Sequence, residues 1–358
     1  MKPKVRCVIN IANRGAGIPD GGLFTENQFQ RLDTGKPIQG QLPERGVVEI
    51  KPTNEDAWIT AAGEQVSRYW EMYGLVLVTN YRDFVLIGKD SRGQSQKLET
   101  YRLSNDESSF WAMVANPQSI AKLHFTSFIE YLKRVLLHAT PITAPEDVAW
   151  FLASYARDSK ARIEKTQLPT LTTLRASLEE ELGLEFVDEK GEHFFRSTLI
   201  QTLFYGMFSA WVLWSKDQSD SDRSTKFDWR TAAWSLRVPM IRALFEQIAT
   251  TRLESIGLVE PMDWAAAVLN RVDRSKFFAI FDEGKAVQYF YEPFLKQFDP
   301  ELRKDRGVWF TPPEIVKYMV ARVDQVLRQE LEIPDGLADP RVIILDPCCG
   351  TGHILRKL

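Results

Sequence analysis

Cysteine and histidine are scarce in this 358-residue chain, at three and four residues. Cys348 and Cys349 are adjacent and Cys7 lies far from both, so no disulfide framework can be drawn and a reducing compartment fits best. His124, His138, His193 and His353 show no metal-ligand spacing with one another or with cysteine, which argues against a structural zinc site. A dominant charge is also missing. The formal net charge of −3 speaks against a globally basic coat for nucleic acid but leaves room for a local basic groove. The most apolar helix candidate, Leu199–Trp214, is shorter than a membrane span and begins with polar interruptions, so it reads as a core helix. The opening residues contain no apolar run of signal-peptide character. Neither an internal repeat nor a G-x-x-x-x-G-K-[S/T] loop occurs, which leaves no sign of an ATP-driven motor.

What is present divides into three zones. With 44% hydrophobic residues, the chain is long enough for two or three domains. From Met1 to Ser104 short β-branched runs, VRCVI, GVVEI, LVLVT and FVLIG, alternate with Gly, Pro and Asn signals. Between the second and third runs, Trp58, Ile59, Ala62, Val66 and Trp70 predict one amphipathic helix opened by Asn54. Strands around a helix describe a small α/β layer domain. From Asn105 to Pro300 helical periodicity takes over, with Thr143 expected as an N-cap and Glu146 completing a capping box. Leu171, Leu174, Leu178 and Leu182 form one stripe of this zone. It reads as a connector or clamp. From about Arg303 onward, Thr311 and Pro312–Pro313 suit a helix start, and Ile315, Met319 and Val323 give that helix an apolar face. The run VIILD then reads as a fully buried strand.

Two places carry chemistry. The rear stretch DPCCGTG puts Asp346 at a strand end, where parallel sheets bind ligands, and Gly350 and Gly352 let the backbone approach closely. Free amides at the next helix start are donors for a carboxylate or phosphate. Taken alone, such glycines serve a tight turn equally well. At the front, Asp20 follows a strand and a glycine turn in GIPDGG. Glu49 and Lys51 in GVVEIKP are two apart in a strand and share a face. Gln65 and Tyr69 are four apart and share a helix face. Two carboxylates and a main-chain carbonyl can hold Mg2+ against a scissile phosphate, and a lysine can orient or help deprotonate the attacking water. Gln65 and Tyr69 can bond the DNA backbone or brace the lysine. The bland alternative is an edge strand with a surface Glu/Lys pair. Other acid-x-Lys triplets, Asp158–Lys160, Asp188–Lys190 and Glu283–Lys285, fall in no strand-like run.

The segment GVWFTPPEIVKYMV followed by DPCCGTG resembles the adenine-specific (N6) DNA methyltransferases whose cofactor motifs precede the catalytic one. Phe310, Thr311, Pro312 and Ile315 match the first motif; Asp346, Pro347, Cys348, Gly350, Thr351 and Gly352 match the second. The resemblance implies an S-adenosyl-L-methionine site in the full-length protein. No [N/D/S]-P-P-[Y/F/W] tetrapeptide follows to hold an extruded adenine, so this chain is not expected to methylate by itself and is expected to be the amino-terminal part of a longer polypeptide. The front set of Asp20, Glu49, Lys51, Gln65 and Tyr69 resembles the RecB-like PD-(D/E)xK nucleases, implying Asp20 and Glu49 as Mg2+ ligands. The insert between Asp20 and Glu49 reads as a DNA-contacting loop or as the mark of a decayed site.

Nuclease, helical connector and cofactor-first methyltransferase, in that order, resemble single-chain restriction–modification enzymes of the type IIG and ISP groups. The fold expected is multidomain, α/β plus α: a PD-(D/E)xK nuclease domain over 1–104, a helical connector over 105–300, and a truncated Rossmann-like methyltransferase start over 301–358. The resemblance implies double-stranded DNA as partner and a bacterial or archaeal cytoplasm. The alternative is a solitary or phage-defence adenine methyltransferase, with possible further subunits, whose nuclease-like domain is an inactive DNA-binding scaffold.

Overall fold

A computed structural model describes residues 4–9, 11–29, 36–89, 93–164, 171–183, 185–218, 225–231, 236, 242, 257–282, 287–300, 311 and 313–345. Six strands form one sheet in chain order: β1 (Val5–Ile9), β2 (Gly21–Thr25), β3 (Val47–Ile50), β4 (Val76–Thr79), β5 (Asp83–Lys89) and β6 (Ser95–Arg102). All neighbours are antiparallel except β3 and β4, which run parallel. A parallel pair needs a crossover, and α1 (Ala57–Ala61) with α2 (Glu64–Tyr73) supplies it. Gly46 enters β3 at φ 86°, and a Cβ there would sit 2.3 Å from the Leu75 carbonyl oxygen. Only glycine permits that approach.

Alternation along the strands sorts side chains onto two faces. Val47, Val76, Val78, Val85 and Ile87 meet Val66 and Tyr69 of α2. Val48, Leu77, Phe84 and Leu86 meet Tyr131 and Val135 on the other side. Those two belong to α4 (Pro117–Leu137), which follows α3 (Glu107–Val114). The sheet is thus covered on both faces, which is why β4 and β5 read as near-continuous apolar runs.

The crossover departs from the sequence expectation. Asp56, not Asn54, caps the first helix, its carboxylate accepting from the amides of Trp58 and Ile59. The chain then breaks at the extended Gly63, so one predicted helix becomes two and Ile59 is exposed. Helix α5 (Pro145–Glu164) is likewise opened by Ala144, whose carbonyl accepts from Val148, with Pro145 in the first turn. Thr143 precedes that position; a proline at the helix start already has the φ it needs and lacks only an N–H that would have no partner.

Helices α6 (Thr172–Leu182), α7 (Asp188–Asp217), α8 (Val259–Leu269), α9 (Arg274–Ile280) and α10 (Glu292–Phe298) build a second core with α5. Leu171, Leu174 and Leu178 are buried as the stripe predicts; the Leu182 side chain lies outside the description. Helix α7 contains the expected 199–214 core segment and buries most of its apolar residues there. No described helix is long and apolar enough to cross a membrane. Phe208 of α7 stacks on Phe290, with centroids 3.5 Å apart.

A buried polar network joins sheet to bundle. Arg134 of α4 and Glu99 of β6, each 4% exposed, pair at 2.9 Å. The Tyr155 hydroxyl of α5 donates to the same carboxylate, and Arg134 also donates to Ser154 at 2.7 Å. Burial works against the Arg134 charge, yet Glu99, Tyr155 and Asp158 together outweigh it and leave the pKa raised. Breaking a buried pair strands a charge, which typically costs about 3–5 kcal/mol. Arg134→Met is therefore expected to lower the thermal unfolding midpoint strongly. Glu26→Gln, which breaks the exposed Lys4 pair, should leave it unchanged in the same scan.

Candidate functional site

The β2–β3 register brings the front residues together. Gly22 pairs with Val47 and Gly21 with Val48. One step further, Asp20 falls across from Glu49, and the Ile50 amide donates to Asp20 Oδ2 at 2.6 Å. Glu49 shares the α2-facing side with Val47 and is 3% exposed. Lys51, one period on, places Nζ 2.8 Å from Glu49 Oε1. Its own amide donates to the Thr79 carbonyl at 2.8 Å, extending the β3–β4 ladder. On α2, Gln65 Nε2 donates to the Tyr69 hydroxyl at 3.0 Å, and Tyr69 is 1% exposed. Asp20, Glu49 and Lys51 all act electrostatically on that hydroxyl. All five front residues named from the sequence are therefore gathered on one side of the sheet, at its β2–β3–α2 corner.

Burial dominates the electrostatics. It pushes the Glu49 carboxyl up; Lys51 pulls it back, and the neighbouring Asp20 pushes it further up. The bond to Glu49 holds the Lys51 ammonium above its ordinary value despite burial. Burial also raises the Tyr69 phenol. Among the described residues no group of three or more His, Cys, Asp or Glu side chains can hold a metal ion. The carboxylate donors at this corner are Asp20 and Glu49, each with one oxygen engaged as above.

The sequence reading missed the loop that closes this corner. Asn13 Oδ1 accepts from the amides of Gly15 at 2.8 Å and Gly17 at 3.2 Å. Gly17, at φ 112°, then lies against the Tyr69 ring, where a Cβ would be 3.2 Å from Cε1. The N-x-G-x-G spacing of Asn13–Gly17 was the available signal. The competing acid-x-Lys triplets Asp158–Lys160 and Asp188–Lys190 sit on α5 and α7, where two residues apart is not one face.

At the rear, Phe310, Pro312, Asp346, Pro347, Cys348, Gly350 and Gly352 lie outside the described residues; Thr311 is half-buried just before α11 (Pro313–Gln329). Ile315, Met319 and Val323 are exposed, and Val316 is the buried member of that helix. The run 342–345, expected as a buried strand, is neither: Ile343 is 92% and Leu345 84% exposed. A buried parallel strand requires hydrogen-bonded neighbours, and every described strand belongs to the front sheet.

Residues 284–357 match the family model described as N-6 DNA Methylase, and that segment is thereby related to N-6 DNA methyltransferases. No curated protein sequence matches the chain. Among solved structures it is similar to one chain of a cryo-electron-microscopy structure of a DrdV–DNA complex, at 19% sequence identity and a TM-score of 0.33. The similarity covers 99% of this chain and 30% of that one, so this chain spans under a third of the length of its structural counterpart.

The raised Glu49 carboxyl has a consequence for stability. Between the ordinary 4.5 and its raised value, the native state binds more protons than the unfolded state, so stability falls as pH rises through that window. Lys51 stays charged throughout. Glu49→Gln is expected to remove this fall: the variant-minus-wild-type difference in thermal midpoint should grow upward from pH 4.5 and then level off. A difference that does not change with pH would contradict the burial of a charged Glu49.

Proposed function

We propose that the chain is part of a DNA restriction–modification enzyme, with a Mg2+-dependent endonuclease site over residues 1–104. A helical connector over 105–300 links it to the beginning of an S-adenosyl-L-methionine-dependent adenine-N6 methyltransferase from 301. The nuclease half rests on one observation: Asp20, Glu49 and Lys51, far apart in sequence, converge beside Gln65 and Tyr69 on the parallel β3–α2–β4 unit. The methyltransferase half rests on the 284–357 match. Phe310, Thr311 and Pro312 would line the cofactor with Asp346, Pro347, Cys348, Gly350 and Gly352. Double-stranded DNA is the partner of both halves, in a bacterial or archaeal cytoplasm.

The donor chemistry fits magnesium. Asp20 and Glu49 face each other, and each has a carboxylate oxygen with no bond among the described residues. Two hard oxygen donors, completed by a main-chain carbonyl and water, suit this ion. Bound, it would polarise the scissile phosphate and acidify a water. Lys51 remains an ammonium and serves as a charge beside the phosphate, orienting it and offsetting negative charge as it develops. Tyr69 stays a neutral phenol, held by Gln65, and braces the Glu49–Lys51 side of the corner.

Lys51→Ala is expected to lower Mg2+-dependent nicking of supercoiled DNA by about a hundredfold or more while the circular dichroism spectrum stays native. Equal nicking by both proteins refutes the nuclease. A second reading, an inactive DNA-binding scaffold in a solitary or multi-subunit defence methyltransferase, draws on the two-carboxylate donor set. The two readings diverge in metal binding. Mg2+ or Mn2+ should raise the thermal midpoint of the wild-type chain and not that of Asp20→Asn. No rise in the wild type favours the scaffold.

A further inference from the structure

We propose that the cavity between β1, the Ile11–Arg14 segment and residues 36–43 binds one unpaired nucleotide of a DNA strand beside the candidate nuclease site. This rests on the DNA-processing reading above and specifies which part of the DNA the front domain grips. The cavity measures about 470 Å3, in the range of small-ligand pockets. Val8, Ile11, Phe24, Ile38, Leu42 and Tyr73 give it apolar and aromatic walls. Its charged members are Arg14 and Lys36, both exposed, and no acidic side chain is among the described residues that line it. Apolar and aromatic walls suit a base, and the two cations suit its phosphates.

The cavity is held open by specific bonds. Gln28 is 3% exposed. Its Nε2 donates to the Leu42 carbonyl at 2.7 Å, and its Oε1 accepts from the amides of Thr25 at 3.1 Å and Glu44 at 3.2 Å. The Ile38 amide donates to the Gln28 carbonyl at 2.7 Å. Residues 38–44 are thereby tied to the end of β2. Tyr73 keeps a buried hydroxyl with no hydrogen-bond partner among the described residues, and Arg14 acts electrostatically on it.

The cavity adjoins the candidate site through α2 and the Ile11–Gly17 segment. Tyr73 lies one turn beyond Tyr69 on α2, their ring centroids 6.4 Å apart. The segment that lines the cavity at Ile11, Ala12 and Arg14 goes on to place Gly17 against Tyr69. A strand at Asp20 and Glu49 would thus have this cavity beside it to receive an unpaired nucleotide.

Fluorescence anisotropy of the full chain in EDTA, at fixed salt, compares a labelled blunt duplex with the same duplex carrying a short single-stranded overhang. The wild type is expected to bind the overhang about tenfold more tightly. Arg14→Ala with Lys36→Ala should abolish that preference. So should Leu42→Asp, an exposed substitution that sets a carboxylate in the wall. No preference in the wild type, or a preference retained in both variants, overturns the proposal. Overhang preference without Mg2+-dependent nicking would support the cavity and sink the nuclease; nicking without overhang preference does the reverse.

Discussion

The front domain depends on strand register. Side chains alternate with period two, so a one-residue slip of β3 would turn Glu49 and Lys51 away from α2 and bring Ile50 inward. Several contacts oppose the slip. Val47 and Val48 are buried in opposite cores. Gly46 fits against Leu75 where no side chain can. The amides of Ile50 and Lys51 are held by Asp20 and Thr79 from the two flanking strands. The same bond that fixes the register also fixes Asp20 opposite Glu49. Packing and candidate chemistry are thus set by one alignment.

The second organising feature is the Glu99–Arg134–Tyr155 network, because it ties β6 of the sheet to α4 and α5. Its neighbours extend it: Arg157 of α5 bridges Glu130 of α4 and the Gln297 carbonyl of α10. Helix α10 lies in the segment that matches the N-6 DNA methylase family. A chain of charged hydrogen bonds therefore runs from β6 through α4 and α5 to that segment. Asp299 adds a further tie, accepting from Lys160 of α5 and Ser197 of α7 at 2.8 Å each. Buried charges of this kind hold neighbouring elements in a defined arrangement more than they stabilise the fold.

Much of this was legible in the sequence. The β-branched runs became strands, and the E-x-K spacing in such a run put Glu49 and Lys51 on one face because period two is a backbone property. Local competition was not legible. Asp56 outbid Asn54 as a cap because its carboxylate reaches two amides, and Gly63 split a helix whose periodicity read as continuous. The role of Gln28 depends on partners 14 and 16 residues away, which no local pattern announces. The run 342–345 fits a buried strand by composition, but composition cannot supply the neighbours a parallel strand must pair with.

The electrostatics of the corner discriminate between roles that residue type alone leaves open. A lysine near a scissile phosphate can act as a base only if its pKa falls toward neutrality, through burial or a neighbouring cation. Here the opposite holds: Glu49 first, then Glu55 and Asp20, favour the ammonium. Tyr69, its phenol raised by burial, is no phenolate at neutral pH either. Burial pushes the Glu49 carboxyl up and Asp20 pushes it further, with Lys51 limiting the rise. If this corner cleaves DNA, Lys51 contributes fixed positive charge and not a base. A Lys51→Arg variant would preserve that charge but not its compact fit to one carboxylate oxygen.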